Sequence, residues 1–452
     1  MPVEPLPGNG SAARGLVVRG DRIVERVPPG AEPRVDVVFD ARGLVLLPGL
    51  INTHHHFYQT LTRACRRALD RPLFPWLQAL YPVWSGLTPS MIETSTELAL
   101  SELLLSGCTL AVDHHYVFTE TITEAIDLQV AVARRLGLRV VLTRGSMSLG
   151  ASSGGLPPDR VTQSPEIILR ESERLVRTYH DRTEEAHVQV ALAPCSPFSV
   201  DVGLLRDTAR LAAALDVGLH THLAETLDED RYCKDTHGVR PLELLARAEW
   251  LRPGTWLAHG IHFNTDEIRM LGEAGVGISH CPTSNMLLSS GICKARELER
   301  AGAPVGLGVD GSASNDGSNL MLEARQALLL ARLAPATRDQ PPTTDSLVSH
   351  VDALRWATLG GARLLQRPSL GRLEVGALAD IACFALDELR FSGAEDPIAA
   401  LVLCGAHAAR HVMVGGRWRV IDGAIPGLDI GALRARHQQL AAQLLSAEAA
   451  AT

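Results

Sequence analysis

The chain has 452 residues, 46% hydrophobic and 21% charged, with a net charge of −8. This is the balance of a soluble globular protein, and no basic block supplies the clustered Lys and Arg that nucleic-acid binding needs. No apolar run reaches the roughly 20 residues of a bilayer span, and the opening MPVEPLPGNGSAARG lacks the charged and apolar regions of a secretory signal. Eight scattered cysteines without a CxxC pair read as buried reduced thiols, so a cytoplasmic location is expected.

Short strands come first, in LVVRGDRIVERV (16–27) and VDVVFDARGLVLLPG (35–49). β-Branched runs then alternate with helical patterns, as βα units around a parallel sheet do. Strands are expected at 46–52, 109–113, 139–144, 188–193, 218–222, 255–259, 275–279 and 304–310. Helix 88–106 begins with Thr88 as a cap and Pro89 in the first turn. Helix 202–215 keeps an apolar stripe, and 344–365 closes the set. The fold class predicted is α/β, a (β/α)8 TIM barrel over 50–370.

Strand-like sequence returns in ADIACFAL (379–386) and HVMVGGRWRVIDG (411–423). Residues 1–49 and 371–428 are therefore expected to form one small β-sandwich domain from both chain ends. Residues 429–452 read as an Ala- and Leu-rich helix with no evident chemistry. Segment 145–164 is rich in Gly, Ser and Pro and has no period. Following the third strand, it belongs at the catalytic face, as a substrate-covering lid or a plain flexible loop.

His54 and His56 stand two apart at the end of the first strand, so both imidazoles face one side, while His55 faces away and reads as structural. A lone HxH is a weak signal. Yet His222 ends the fifth strand, His259 the sixth and Asp310 the eighth, where the βα loops of a barrel build its active site. His54, His56, His222 and Asp310 are thus the expected metal ligands. Three imidazoles and a carboxylate suit one divalent ion, with zinc first and iron or manganese as alternatives. A two-metal site needs a bridging anionic group, and the fourth strand, VQVALA, has no Lys, Asp or Glu. A zinc-bound water has a pKa of about 7, and Glu225, three residues past His222, is placed to be its general acid/base. His259 is expected to hold the nucleophile by a hydrogen bond, and Asp310 to take its proton.

PGLINTHHH (48–56), HTHLAET (220–226), LAHG (257–260), SHCPTSNMLLSSG (279–291) and GLGVDGSASND (306–316) resemble the amidohydrolase superfamily, on its nucleobase-deaminase side. The two ends resemble that superfamily's composite β-sandwich, so the likeness covers nearly the whole chain. It implies the same ligands, Glu225 as proton shuttle, His259 against the reacting water or substrate, and a homo-oligomer. NTHHHFYQTLTRA (52–64), PFSVD and VDHHY are most similar to the 8-oxoguanine deaminases. Gln59 matches a glutamine that guanine deaminases set against the purine edge, whereas Cys195 or Ser196 stands where they carry an arginine.

The resemblance therefore implies a small nucleobase-like substrate, with 8-oxoguanine first. Its amino carbon lies between ring nitrogens, and a neutral amide such as Gln59 satisfies adjacent donor and acceptor atoms. Trp84, Tyr116, His115, Cys195 and Ser284 are further pocket candidates, although core packing accounts equally well for Trp84 and Tyr116. His280 and Asn285 read as braces of the seventh strand's loop. The rival substrates are isocytosine, guanine and a hydroxylated s-triazine. A metal-free binding scaffold would have lost ligands that are all present here. The base-flipping zinc deaminases carry an HxE…PCxxC arrangement that is absent.

Overall fold

Strands β1 (Gly15–Arg19) and β2 (Arg22–Val27) form an antiparallel hairpin, and β3 (Leu44–Pro48) follows after a stretch without regular structure. The computed structural model describes residues 15–334 and 347–449. The expected strand 46–52 is two strands, because the chain turns at Gly49 from β3 into β4 (Leu50–Asn52). A Cβ on Gly49 would stand 2.2 Å from Thr109 Oγ1, so only glycine lets the chain pass there.

The barrel continues with β5 (Cys108–His115), β6 (Arg139–Ser146), β7 (Val188–Pro194), β8 (Leu219–Leu223), β9 (Thr255–His259), β10 (Gly277–His280) and β11 (Val305–Leu307). Together with β4 these are eight parallel strands in a closed ring, the predicted (β/α)8 barrel. Alternation sorts the side chains. Leu110 and Val112 join Ile51, Val141, Ala191 and Trp256 in a cluster plugged by Leu364 and Leu370. Ala111, between Leu110 and Val112, belongs instead to the larger core, and so does Cys108, where the register with β4 shifts. Each buried Leu, Ile or Val contributes about 1.5–3 kcal/mol.

Thr88 caps the helix Pro89–Leu105, its hydroxyl accepting from Met91 N at 3.4 Å, a contact worth about 1 kcal/mol. Asp201 caps Val202–Leu215 from 2.8 Å. The expected helix 344–365 lies partly outside the described residues. From His350 it runs to Arg355, loosens into a π turn at Trp356–Gly360, and resumes at Gly361–Leu364. Close packing accompanies the turn, since a Cβ on Gly360 would meet the Val305 carbonyl at 2.0 Å.

Strands β12 (Ile381–Ala385), β13 (His411–Val414) and β14 (Arg417–Val420) form a second sheet in the order β14-β13-β12-β3. Ile23 of the hairpin packs with Ile381, Cys383 and Met413, so hairpin and sheet make two layers with an apolar filling. The sheet is bound to the barrel by Arg139, whose guanidinium bonds both oxygens of Asp380 at 3.1 and 3.3 Å. The helix Ile430–Ala449 packs on Leu73–Trp84 and Pro89–Leu105. His437 on it meets Thr60 at 3.1 Å, and Arg436 bonds Thr94 and Glu97. No helix among the described residues is long and apolar enough to cross a membrane, and all eight cysteines are free.

Candidate metal centre

His54 and His56 follow β4 directly, and their imidazoles turn inward over the barrel's apolar plug. A layer of histidine separates them from it. His220 stacks on Trp256 with centroids 4.6 Å apart, and its Nδ1 donates to the Trp256 carbonyl at 2.9 Å. His220 Nε2 must then accept the proton of His54 Nδ1, 2.8 Å away. His56 Nδ1 donates to the His114 carbonyl and His222 Nδ1 to the Cys195 carbonyl, both at 2.7 Å. His259 Nδ1 donates to Asn285 Oδ1 at 2.9 Å. The rings of His54, His56 and His222 thus keep a bare lone pair on Nε2, whereas His259, held above the usual histidine range against its burial by the carboxylates of Glu225 and Asp310, turns its Nε2 toward them.

Those lone pairs converge. His56 Nε2 and His222 Nε2 are 3.2 Å apart, and Asp310 Oδ1 lies 3.3 Å from both His54 Nε2 and His56 Nε2. His54 Nε2 is buried without a hydrogen-bond partner. Facing acceptors with no proton between them repel unless a cation sits among them. The residues therefore fit a divalent ion held by His54, His56, His222 and Asp310, each imidazole oriented by the bond at its other nitrogen. Burial keeps two of these rings neutral, as a ligand must be: His54 is held well below the usual histidine range, and His222 is pushed down to about 3. A second triplet, His54, His114 and His220, is disqualified because His54 and His220 already spend their nitrogens on each other. The lysines stand elsewhere, Lys234 on Asp230 and Lys294 on the Phe263 carbonyl.

Glu225 is buried with its Oε2 3.5 Å from His259 Nε2, and His259 Nε2 lies 3.9 Å from Asp310 Oδ2. Burial raises the Glu225 carboxyl above its ordinary range. Two residues absent from the sequence reading position it. Glu229 accepts from the backbone N–H groups of Ala224 and Glu225, each at 2.9 Å, and Ser290 donates to Glu225 Oε1 at 3.4 Å. Ala224, His259 and Asp310 all have left-handed backbones, with φ of 53°, 72° and 63°. Such conformations cost about 1–3 kcal/mol each and gather where a site imposes them.

Beside these groups lies a cavity that opens to solvent, with about 390 Å³ of empty space counting that opening. Gln59 lines it with both amide atoms buried and unpartnered, and so do Cys195 and Tyr116. Neither Lys nor Arg does. The structure does not bring the other pocket candidates to the cavity wall. Trp84 lies behind it, its indole N–H donating to Thr62 at 3.2 Å and its ring against Tyr58 and Trp76. His115 turns outward onto Phe118. Ser284 acts one step removed, donating to Ser314 at 2.9 Å, which donates to Asp310 Oδ2 at 3.3 Å. Asn285 holds His259, a closer role than a loop brace.

The segment 145–164 is not the cover. Gly145 and Ser146 complete β6, and Ser148 N, Leu149 N and Leu156 N bond the carbonyls of Ser199 and Phe198. It thus buttresses the loop whose Ser196 and Phe198 line the cavity, while contributing no lining residue itself. The cover is the helix Leu73–Trp84, whose Leu73, Trp76, Leu77 and Tyr81 face inward. Its signal, an i, i+3, i+4, i+8 apolar stripe in LFPWLQALY, is the same for a helix facing a core.

The chain is 57% identical to 8-oxoguanine deaminase of Pseudomonas aeruginosa over 98% of both chains. It is 36% identical to hydroxydechloroatrazine ethylaminohydrolase of Pseudomonas sp. (strain ADP), covering 90% of this chain and 84% of the other. The zinc complex of atrazine chlorohydrolase from Arthrobacter aurescens TC1 superposes with a TM-score of 0.89 at 33% identity over 94% of each chain. The profile of the amidohydrolase family matches residues 45–419, taking in the whole barrel and most of the sheet beside it, and this chain belongs to that family.

Proposed function

We propose that the protein removes the amino group of 8-oxoguanine by hydrolysis, consuming one water and yielding urate and ammonia. The observation that carries the chemistry is the set of Nε2 lone pairs facing Asp310 at the edge of a cavity lined by Glu225. What supports the substrate is the end-to-end 57% identity to an 8-oxoguanine deaminase. Zinc is the ion proposed, by the donor set and by the zinc held in the structurally similar chlorohydrolase.

When bound by His54, His56, His222 and Asp310, the ion supplies Lewis acidity and a water ionised near neutral pH. Glu225 takes a proton from the water attacking C2 and hands it to a ring nitrogen. Asp310 accepts the second proton, which leaves with the amine as ammonia. His259, fixed by Asn285, orients the attacking oxygen. Gln59 offers one donor and one acceptor to the amide edge of the ring, and rings with the wrong pattern leave those atoms unmatched. An arginine-free wall with Cys195 disfavours plain guanine, the substrate of relatives that carry an arginine there.

The kinship with a triazine aminohydrolase supports a second reading, an aminohydrolase of isocytosine or a hydroxylated s-triazine. Ammonia release across 8-oxoguanine, guanine, isocytosine and hydroxylated triazines separates the two: a higher kcat/KM for any of the others overturns the first. Metal analysis of the purified protein should return one zinc per chain. Glu225→Gln should keep that metal and lose about 100-fold or more in kcat, whereas His222→Ala loses the metal too. Full activity in Glu225→Gln would refute the assigned role.

A further inference from the structure

The helix Leu73–Trp84 lays four side chains over the cavity, and three of them have nothing polar left to offer. Leu73 and Leu77 are aliphatic, and the Trp76 indole N–H is committed to the Ala313 carbonyl at 3.3 Å. The fourth, Tyr81, is 1% exposed and its hydroxyl has no partner in the protein. Burial raises that phenol well above its usual range, so it stays a neutral O–H. A buried hydroxyl without a partner is costly, and its retention on a cavity wall marks a place where a ligand supplies the missing bond.

The bound ring's orientation follows from the floor of the site. The reacting carbon must sit by Glu225 and the converging imidazoles, and Gln59, packed against Gly311 beside Asp310, takes the edge next to it. The five-membered ring of an 8-oxopurine then points away from the floor toward the covering helix. Its outer edge carries a C8 carbonyl between two N–H groups. We infer that Tyr81 is a specificity-determining residue whose hydroxyl donates to the C8 oxygen, so that the covering helix reads the oxidised position of the purine. This rests on the proposed 8-oxoguanine reaction and adds the group that separates an 8-oxopurine from one unsubstituted at C8.

Tyr81→Phe removes one atom that bonds nothing in the protein, so the fold and bound metal are expected to be retained. The test compares wild type and variant in KM and kcat for 8-oxoguanine, and in inhibition by urate, which carries the C8 oxygen, and xanthine, which lacks it. The expected result is a KM about ten- to a hundredfold higher, with kcat within about threefold. Ki for urate rises by the same factor while Ki for xanthine stays within about twofold. Equal weakening of urate and xanthine, or no change in either, overturns the role of Tyr81 while leaving the reaction standing. A wild-type enzyme that releases no ammonia from 8-oxoguanine overturns the functional reading, and this inference with it.

Discussion

Replacing Gly311 by alanine would put a methyl carbon 1.9 Å from Gln59 Oε1 and 2.3 Å from its Cδ. Carbon contacts relax at about 3.5 Å or more, so the amide must withdraw by about 1.5 Å. Little in the fold resists, because neither amide atom has a protein partner to lose. Gly311 also lies outside the left-handed region, so alanine adds no backbone strain. The cost falls on the substrate, which loses up to two hydrogen bonds of about 0.5–1.5 kcal/mol each. KM for 8-oxoguanine should rise about 5- to 150-fold, with bound metal and Tm close to wild type. Continuous ammonia detection gives KM and kcat, and a cycle with Gln59→Ala isolates the cause. In the Gln59→Ala background, Gly311→Ala should add no more than about 0.5 kcal/mol. An unchanged KM with metal retained, or the full loss repeated without Gln59, would refute the assignment of that amide to the ring edge.

Arg139→Met strands Asp380 in the interface between barrel and sheet, with the Gly415 N–H at 2.8 Å as its remaining bond. Denaturant unfolding should show a loss of about 3–5 kcal/mol; a loss under about 1 kcal/mol would mean the pair is not what binds the sheet. His437 is held down at about 4, by burial first and by Arg63 second. A base lowered in the folded state binds fewer protons than the unfolded chain between about pH 6.5 and 4, so stability falls as pH drops through that window. Thermal melts from pH 7 to 4.5 should fall more steeply for wild type than for His437→Gln, and identical slopes would refute the contribution.

Much of this site was legible in the sequence because a barrel turns strand order into spatial order. Residues dispersed from 54 to 310 converge for the single reason that each stands at or just beyond the C-terminal end of a barrel strand, and HxH, HTHLAE, LAHG and GLGVDG mark those points. The misplacements have physical causes. Asp310 lies three residues beyond β11, since the left-handed turn at Asp310, rather than strand pleating, aims it inward. Trp84 and His115 are aromatic side chains near the site, but both are spent on packing. Tyr81 and Trp76 escaped because an apolar helix face looks the same whether it covers a core or a cavity. Glu229 escaped because holding two backbone amides leaves no pattern in sequence. The split at Gly49 is visible only when Thr109 is seen against it.

The pairing of β3 with β12 has a consequence for synthesis. Leu47 stands opposite Ala382 across the ladder, and at about 5–20 residues per second the ribosome takes tens of seconds to deliver the second after the first. During that wait the Leu-rich β3 has an open edge, which is an invitation to pair with another nascent chain. The turn at Gly49 runs from this same strand into β4, so the barrel's first strand is tied to the second sheet only after β12 has emerged. A nascent chain stalled before β12 should accordingly aggregate through β3, and chaperones that shield extended apolar segments should raise the yield of the full-length protein.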